Sequence, residues 1–410
     1  MRKILVVFIC LFLLVGNKIY SQSVDLLIKN GHVIDPKNNI DAIMDIAIGE
    51  NKIIEVASKI NKPAKRTIDA TGLYVVPGLI DIHGHHYFGT EQDAYLSNGF
   101  SALPPDGFTF RSGVTTVVDA GGAGWRNFAD FKNKAFANSR TRMFAFLNIV
   151  GAGMKGGAYE QNLADMDSKL TAMAARQYPD LIVGIKLAHY QSSEWAPAER
   201  AVEAGKLAGI PVMIDFGGAE PVLSLETLLL EKLRPGDILT HCFAHVKGRG
   251  PIMENGMLQP FIVKAQSKGI IFDVGHGGGS FLFEQAVPAI KQGFRPNSIS
   301  TDLHTGSMNG GMKDMINIMS KLLNIGMSLN EIIIRSTWSP AQIINRKELG
   351  NLSVGAHADV ALLSLDKGNF GFVDTGGNMI KGDKKLVCQL TLLNGDVVWD
   401  LNGLAATAVK

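Results

Sequence analysis

The pattern of apolar and polar positions divides the chain into three stretches. From residue 24 to about 68 it favours short strands. Val24 to Ile28 is an apolar run, Asn30-Gly31 is a hairpin signal, and Asp35-Pro36 breaks the run that follows. Met44, Ile46 and Ile48 share one face, and Ile53 to Val56 resumes after a polar turn, which predicts a small antiparallel sheet. From Gly78 to about Ala341 the period changes. Strand-like runs at 78–85, 114–120, 142–150, 182–187, 211–216, 237–243, 270–274 and 298–303 alternate with helical patterns such as Ala198, Ala201, Val202, Gly205 and Ala208. Eight strands alternating with helices over roughly 260 residues predict a closed (β/α)8 TIM barrel of the α/β class, whose usual size is ~250 residues. A doubly wound open sheet is the alternative, but no G-x-G-x-x-G follows the first strand. After about Leu349 strands return, with a hairpin around Asn394-Gly395, and the polar, Gly-rich stretch 367–384 reads as an exposed loop. The two ends are alike and each needs a partner for its apolar face. They predict one small β-sandwich built from 24–75 and 350–410, flanking a barrel of 76–349.

The first residues stand apart. Arg2 and Lys3 precede the apolar run Ile4 to Val15, and small polar residues follow at Ser21 to Ser23. This predicts a signal peptide over 1–23 and an exported protein, periplasmic or secreted. The run is shorter than the ~20 residues of a stable membrane span, and a retained anchor is the alternative. Removing Arg2, Lys3 and Lys18 lowers Lys+Arg from 40 to 37 against 38 acidic residues, so the formal charge passes from +2 to −1. That balance gives no electrostatic footprint for nucleic acid. Cys242 and Cys388 would remain, too few for a disulfide framework. A small-molecule substrate is the expected partner, with a homo-oligomer left open.

In a barrel, reactive side chains sit at the carboxyl ends of the strands. Strand one ends in His83-Gly84-His85, and alternation puts both imidazoles on one side, where they can share an ion. The later ends supply Asp119 (two), Lys186 (four), Asp215 (five), His241 (six), His276 (seven) and Asp302 followed by His304 (eight). Asp119 could cap a helix or touch substrate. His276 is expected to contact substrate or an oxyanion, and His304 lies on the face of Asp302. Arg126 and Arg295 lie near strand ends as candidates for a substrate carboxylate. Cys242, on the opposite parity from His241, reads as a buried structural thiol. His86, His189 and His245 read as packing or surface histidines.

The segments Pro77-Gly78-Leu79-Ile80-Asp81-Ile82-His83-Gly84-His85, Gly113-Val114-Thr115-Thr116, Gly355-Ala356-His357-Ala358-Asp359 and Asn394-Gly395 resemble the metal-dependent amidohydrolase superfamily nearly end to end. Gly184-Ile185-Lys186, Thr240-His241-Cys242-Phe243, Asp273-Val274-Gly275-His276-Gly277 and Ser300-Thr301-Asp302 resemble its dihydroorotase-like deacetylase group. The resemblance implies two divalent ions, with zinc expected and manganese open. His83 and His85 would hold the inner ion, a carbamate on Lys186 would bridge, and His241 would help hold the outer ion. Asp302 would bind the inner ion and act as catalytic acid and base. The implied activity is hydrolysis of amide, cyclic amide or acyl-ester bonds by a water the two ions share and acidify. One position departs. The family pattern has histidine at the end of strand five, and this chain has Asp215, which either ligates or falls short and weakens the outer ion. A single-metal variant and a non-catalytic binding protein are the alternatives.

Overall fold

The computed structural model describes residues 24–215 and 221–407, and the expected signal peptide at 1–23 lies outside the described residues. Both ends of the chain enter one eight-stranded sheet. In it, strands Tyr74–Pro77, Val24–Asp35, Ile40–Gly49 and Lys52–Ala57 continue outward from Val360–Val373, Met379–Leu393 and Asp396–Asp400. Leu26, Ile28, Val33, Ile46 and Ile48 from one end share a core with Val360, Leu362, Leu390 and Leu392 from the other. Neither end could cover its apolar face alone.

Two features of this sheet depart from the sequence reading. Asn30-Gly31 is not a hairpin. Asn30 takes φ 60° inside the continuous strand Val24–Asp35, and the register shifts there. The bulge lets the strand change parallel partners, from 64–69 before it to Tyr74 and Val75 after it. Gly31 has no room for a Cβ beside Val75, so the side chain it lacks is as important as its backbone. The stretch 367–384 is not an exposed loop either. It is the outer part of a long hairpin in which Phe370 pairs with Gly382 and Phe372 with Ile380. Asn324 Oδ1 accepts from the backbone of Asp383 and Lys384, and Thr375 and Asp374 bond the backbone of Phe281 and Phe283. The arm is thereby fastened to the barrel.

The barrel strands are Leu79–Gly84, Val114–Gly124, Arg142–Asn148, Ile182–Leu187, Val212–Ile214, Ile238–Leu239 and Ile271–Phe272, numbered one to seven and paired in parallel in that order. The segment 298–303 closes the ring. Val274 N donates to Ser298 O on one side, while Asp302 N donates to His83 O and His85 N to Leu303 O on the other. Helices Ser168–Gln177, Ala196–Ala208, Pro260–Ser267, Phe283–Lys291 and Met315–Asn324 cross between strands. Ala196–Ala208 buries Ala198, Ala201, Ala204 and Gly205, much as its spacing predicts, and Gly205 lies too close to Val212 for a larger side chain. The joint between sheet and barrel is the motif ending in Asp359. Its carboxylate pairs with Arg142, its Oδ1 accepts from Asn394 N, and its carbonyl accepts from Gly78 N. No helix among the described residues is long and apolar enough to cross a membrane.

Candidate active site

The strand ends converge on a small chamber of about 20 Å³, lined by His83, His85, Lys186, His189, Asp215, His241, Asp302 and His304 among others. Above it opens a cavity of about 1060 Å³ bordered by Tyr95, Lys155, Glu160, Arg249 and again His189, Asp215, His241, Asp302 and His304. One nitrogen from each of His83 and His241 and one oxygen of Asp302 lie within 4.8 Å of one another, close enough to hold a single ion.

Each imidazole is aimed by what its other nitrogen touches. Thr240 Oγ1 spends its proton on Asp273 Oδ2, at 2.8 Å, so it can only accept from His83 Nδ1, also at 2.8 Å. That leaves His83 Nε2 unprotonated and facing the chamber. Asp273 is in turn held by Ser298 and Ser300. His241 Nδ1 donates to Gly275 O at 2.5 Å, which turns Nε2 toward Asp215; burial disfavours the charge of this ring, but Asp215 outweighs burial and raises its affinity for a proton. Gly275 has φ 45°, and a Cβ there would crowd Thr240 and stand 2.9 Å from His241 Nδ1. Only glycine fits beneath the two rings. Asp81, two residues before His83, accepts from Thr301 and ties strand one to strand eight, and burial pushes its carboxyl up to about 7.

Lys186 is fully buried, and its Nζ has no hydrogen-bond partner among the described residues. Burial lowers the affinity of this amine for its proton, and nearby Asp215 and Asp302 offset the effect only in part. Asp302 shows the opposite balance. Burial disfavours its charge, but His83, His85 and His241 outweigh burial and hold the carboxyl well below the usual range. Its Oδ1 lies 2.8 Å from His85 Nε2. Burial together with the Lys186 cation pushes His83 down to about 3, so this ring is neutral, as a metal ligand must be.

Asp215 reaches the chamber despite being shorter than an imidazole: its Oδ2 is 3.3 Å from His241 Nε2. His304 lies at the mouth, 4.0 Å from Asp302 Oδ2. Three expected substrate contacts lie elsewhere. His276 is fully buried and lines neither space; its ring stacks on Phe281 and its Nε2 faces Lys321 Nζ at 2.7 Å. Arg126 pairs with Asp165 at 2.7 Å and lies over Trp125. Arg295 precedes strand eight, which puts it at the opposite end of the barrel, paired with Glu331. Asp119 neither caps a helix nor faces the chamber: it accepts from the backbone of His86, Tyr87 and Gly122. Cys242 is a buried thiol, raised by burial. His86 is buried against Leu103 O, and His245 is exposed beside Glu284.

The structure corrects the reading of His189 as a packing or surface histidine and brings in Arg249, which the sequence did not single out. His189 belongs to the site: its Nε2 is 3.4 Å from Asp215 Oδ2 and its Nδ1 is 3.0 Å from Glu160 Oε2. Burial disfavours its charged form, but the two carboxylates outweigh burial and raise it to about 10. Arg249 borders the cavity, 4% exposed, with Nη2 donating to His241 O and Nε without a partner among the described residues. His189, His241 and Asp302 all have left-handed backbone, φ 55°, 56° and 54°. That strain, unusual outside glycine and asparagine, gathers around the chamber.

A closed barrel whose strand ends direct imidazoles, a buried amine and a low-pKa carboxylate into one chamber has the arrangement of a barrel hydrolase with a possible metal site. A protein-family model for the amidohydrolase family matches residues 283–398. A deacetylase of Brucella anthropi is 35% identical over 369 residues, covering 87% of this chain and 88% of that protein. A solved structure of a dihydroorotase, 30% identical, superposes with a TM-score of 0.82 over 92% of this chain and 99% of the other. One of an adenine deaminase, also 30% identical, gives 0.82 over 92% and 100%. The chain belongs to the amidohydrolase family, and it is a hydrolase of that type.

Proposed function

We propose that this protein hydrolyses amide, cyclic amide or acyl-ester bonds of small molecules with two divalent ions in the chamber, N-acyl amino acids being the first substrates to try. The observation that carries the reading is the meeting of His83, His85, Lys186, His241 and Asp302 around one chamber beneath an open cavity. The donor set suits the ions: three buried imidazoles, of which His83 is neutral with its Nδ1 proton held by Thr240, anionic Asp302, and an amine whose burial fits it for conversion to a bridging carbamate. His83, His85 and Asp302 would hold the inner ion, with His241 and Asp215 on the outer one. The ions would supply an acidified water and polarise the carbonyl.

The chain's own residues do the rest. Asp302 is ionised and faces both spaces, so it is placed to take the proton of the attacking water. It then returns that proton to the leaving nitrogen or oxygen as the carbon–heteroatom bond breaks. Arg249, in place of Arg126 and Arg295, is a buried cation at the cavity wall suited to a substrate carboxylate. The nearly complete ligand set argues against a non-catalytic binding protein, and export through residues 1–23 is part of the same reading.

The test is metal analysis of the purified protein together with a screen of N-acyl amino acids, cyclic amides and acyl esters. Turnover of one class that is lost on chelation supports the proposal; bound ions with no turnover across the screen would favour a binding role. Within that screen, Arg249→Ala should raise KM for carboxylate-bearing substrates by about 10- to 100-fold, a charge-assisted contact of about 1.5–3 kcal/mol, and leave carboxamide analogues unaffected. Thr240→Val keeps the side-chain shape but removes the acceptor for His83 Nδ1. Ion affinity, read by competition with a chelator, should fall about 10- to 100-fold, and unchanged affinity would remove Thr240 from this role.

A further inference from the structure

Strand five ends in a carboxylate, and the structure places an imidazole from another element beside it. We infer that His189, in the loop after strand four, is a ligand of the outer ion, joining Asp215 and His241; this rests on the two-ion reading above.

Three independent observations lead there. The first is distance. Asp215 Oδ2 stands 3.4 Å from His189 Nε2 and 3.3 Å from His241 Nε2. Atoms bound to one tetrahedral zinc at about 2.0–2.1 Å lie about 3.3–3.4 Å apart, so each separation matches an edge of such a polyhedron. The second is orientation. Glu160 is 2% exposed, and its one ion-pair partner among the described residues is His189 Nδ1, at 3.0 Å. A buried carboxylate on Nδ1 fixes that nitrogen as the protonated one and turns Nε2 toward the chamber, the carboxylate–histidine arrangement that aims a metal ligand. The third is backbone. His189 shares the left-handed conformation of His241 and Asp302, while its neighbours in the loop do not. A surface histidine has no reason to bear that strain, whereas a side chain that must reach back over strand four does.

The chemistry is consistent with the charges. Asp215 and a carbamate on Lys186 both bring negative charge to the outer ion. A neutral imidazole adds a fourth ligand without adding more. On loading, the ion takes the place of the Nε2 proton, which leaves to solvent, so binding releases a proton. Glu160 is then a positioning residue that keeps the Nδ1 proton.

The experiment is metal content and affinity on the full chain, with zinc for the counts and cobalt for the spectrum, read without an activity assay. The parent should hold two ions per chain. His189→Asn, close in shape, should hold one tightly and the other at least about tenfold more weakly. Glu160→Gln should weaken the same ion less. A double variant, His189→Asn with Asp215→His, should recover the second ion, because it moves the imidazole to strand five. Cobalt-loaded protein should lose one histidine-bound centre in its absorption spectrum on His189→Asn. Two ions retained at parental affinity in His189→Asn would overturn the inference and leave the two-ion reading standing. A parent with only one ion would overturn both, and that result is seen before any variant is made. If His189→Asn does not fold, failure of the double variant to bind a second ion would count against the assignment.

Discussion

Replacing Asp302 by Asn is expected to lower kcat by about 10²–10⁴-fold while leaving the bound ions largely in place. The size follows from the position. Asp302 faces the chamber on one side and the cavity on the other. Buried though it is, the imidazoles of His83, His85 and His241 hold it ionised, so at rest it is a base. It becomes an acid only by taking a proton from the attacking water. An amide fills the same volume and keeps an oxygen for His85 Nε2, but it cannot carry that proton. Asp302 itself is left-handed, and its Oδ2 packs so closely on Gly277 that a Cβ there would overlap it, so glycine at 277 leaves the space this carboxylate occupies. The measurement is kcat and ion content on the same preparation. Parental turnover in Asp302→Asn would leave this residue as a ligand only and would move the proton transfer to another titratable side chain at the mouth, with His304, 4.0 Å from Asp302 Oδ2, the first to test.

The residues that line the chamber were legible because barrel strands impose a rule: the last residues of each strand face one mouth. His83, His85, Lys186, His241 and Asp302 all fall where that rule puts them. It fails for residues whose place is decided by loops. His189 is only three residues beyond Lys186, but a left-handed turn, invisible in the pattern, sends it back to Asp215. The short gap to Lys186 was the available signal. Arg249 lies eight residues past His241, and only its bond to the carbonyl of His241 shows that the loop doubles back. Arg295 was misread for a different reason. It lies at the start of strand eight, and beginnings of strands belong to the opposite face. His276 stands in a loop that follows the rule, but Phe281 and Lys321 offer its ring a stacked and hydrogen-bonded place below the mouth.

The same dipeptide makes the point for the fold. Asn394-Gly395 has φ 50° and 82° and turns a hairpin between Met379–Leu393 and Asp396–Asp400, as its sequence predicts. Asn30-Gly31 has only the first positive angle and bulges a strand instead. What decides is tertiary: strand 24–35 has partners on both sides along its length, so the chain gains more by continuing than by reversing.

Lys186→Met should have opposite effects on the loaded and the ion-free protein. In the ion-free chain the amine is buried without a partner among the described residues, a situation that costs about a few kcal/mol as desolvation or as a lost proton. Methionine has similar length and no charge to bury. The ion-stripped variant should therefore melt at or above the ion-stripped parent. With metal present the order reverses. The unprotonated amine is the form that attacks carbon dioxide: a nitrogen–carbon bond forms, one proton is released, and the product is an anion with two oxygens able to join two ions. Methionine can do none of this. The loaded variant should lose at least one ion, lose activity with it, and melt below the loaded parent by the binding energy forgone. A structural lysine would move both melting temperatures in the same direction, so the sign of the difference separates the two roles. Lys186→Ala provides a second check, since it opens space where a small carboxylic acid can bind. Recovery of ion content and turnover with added acetate or propionate would place an anionic bridge at this position, and full ion content in Lys186→Ala without any additive would exclude one.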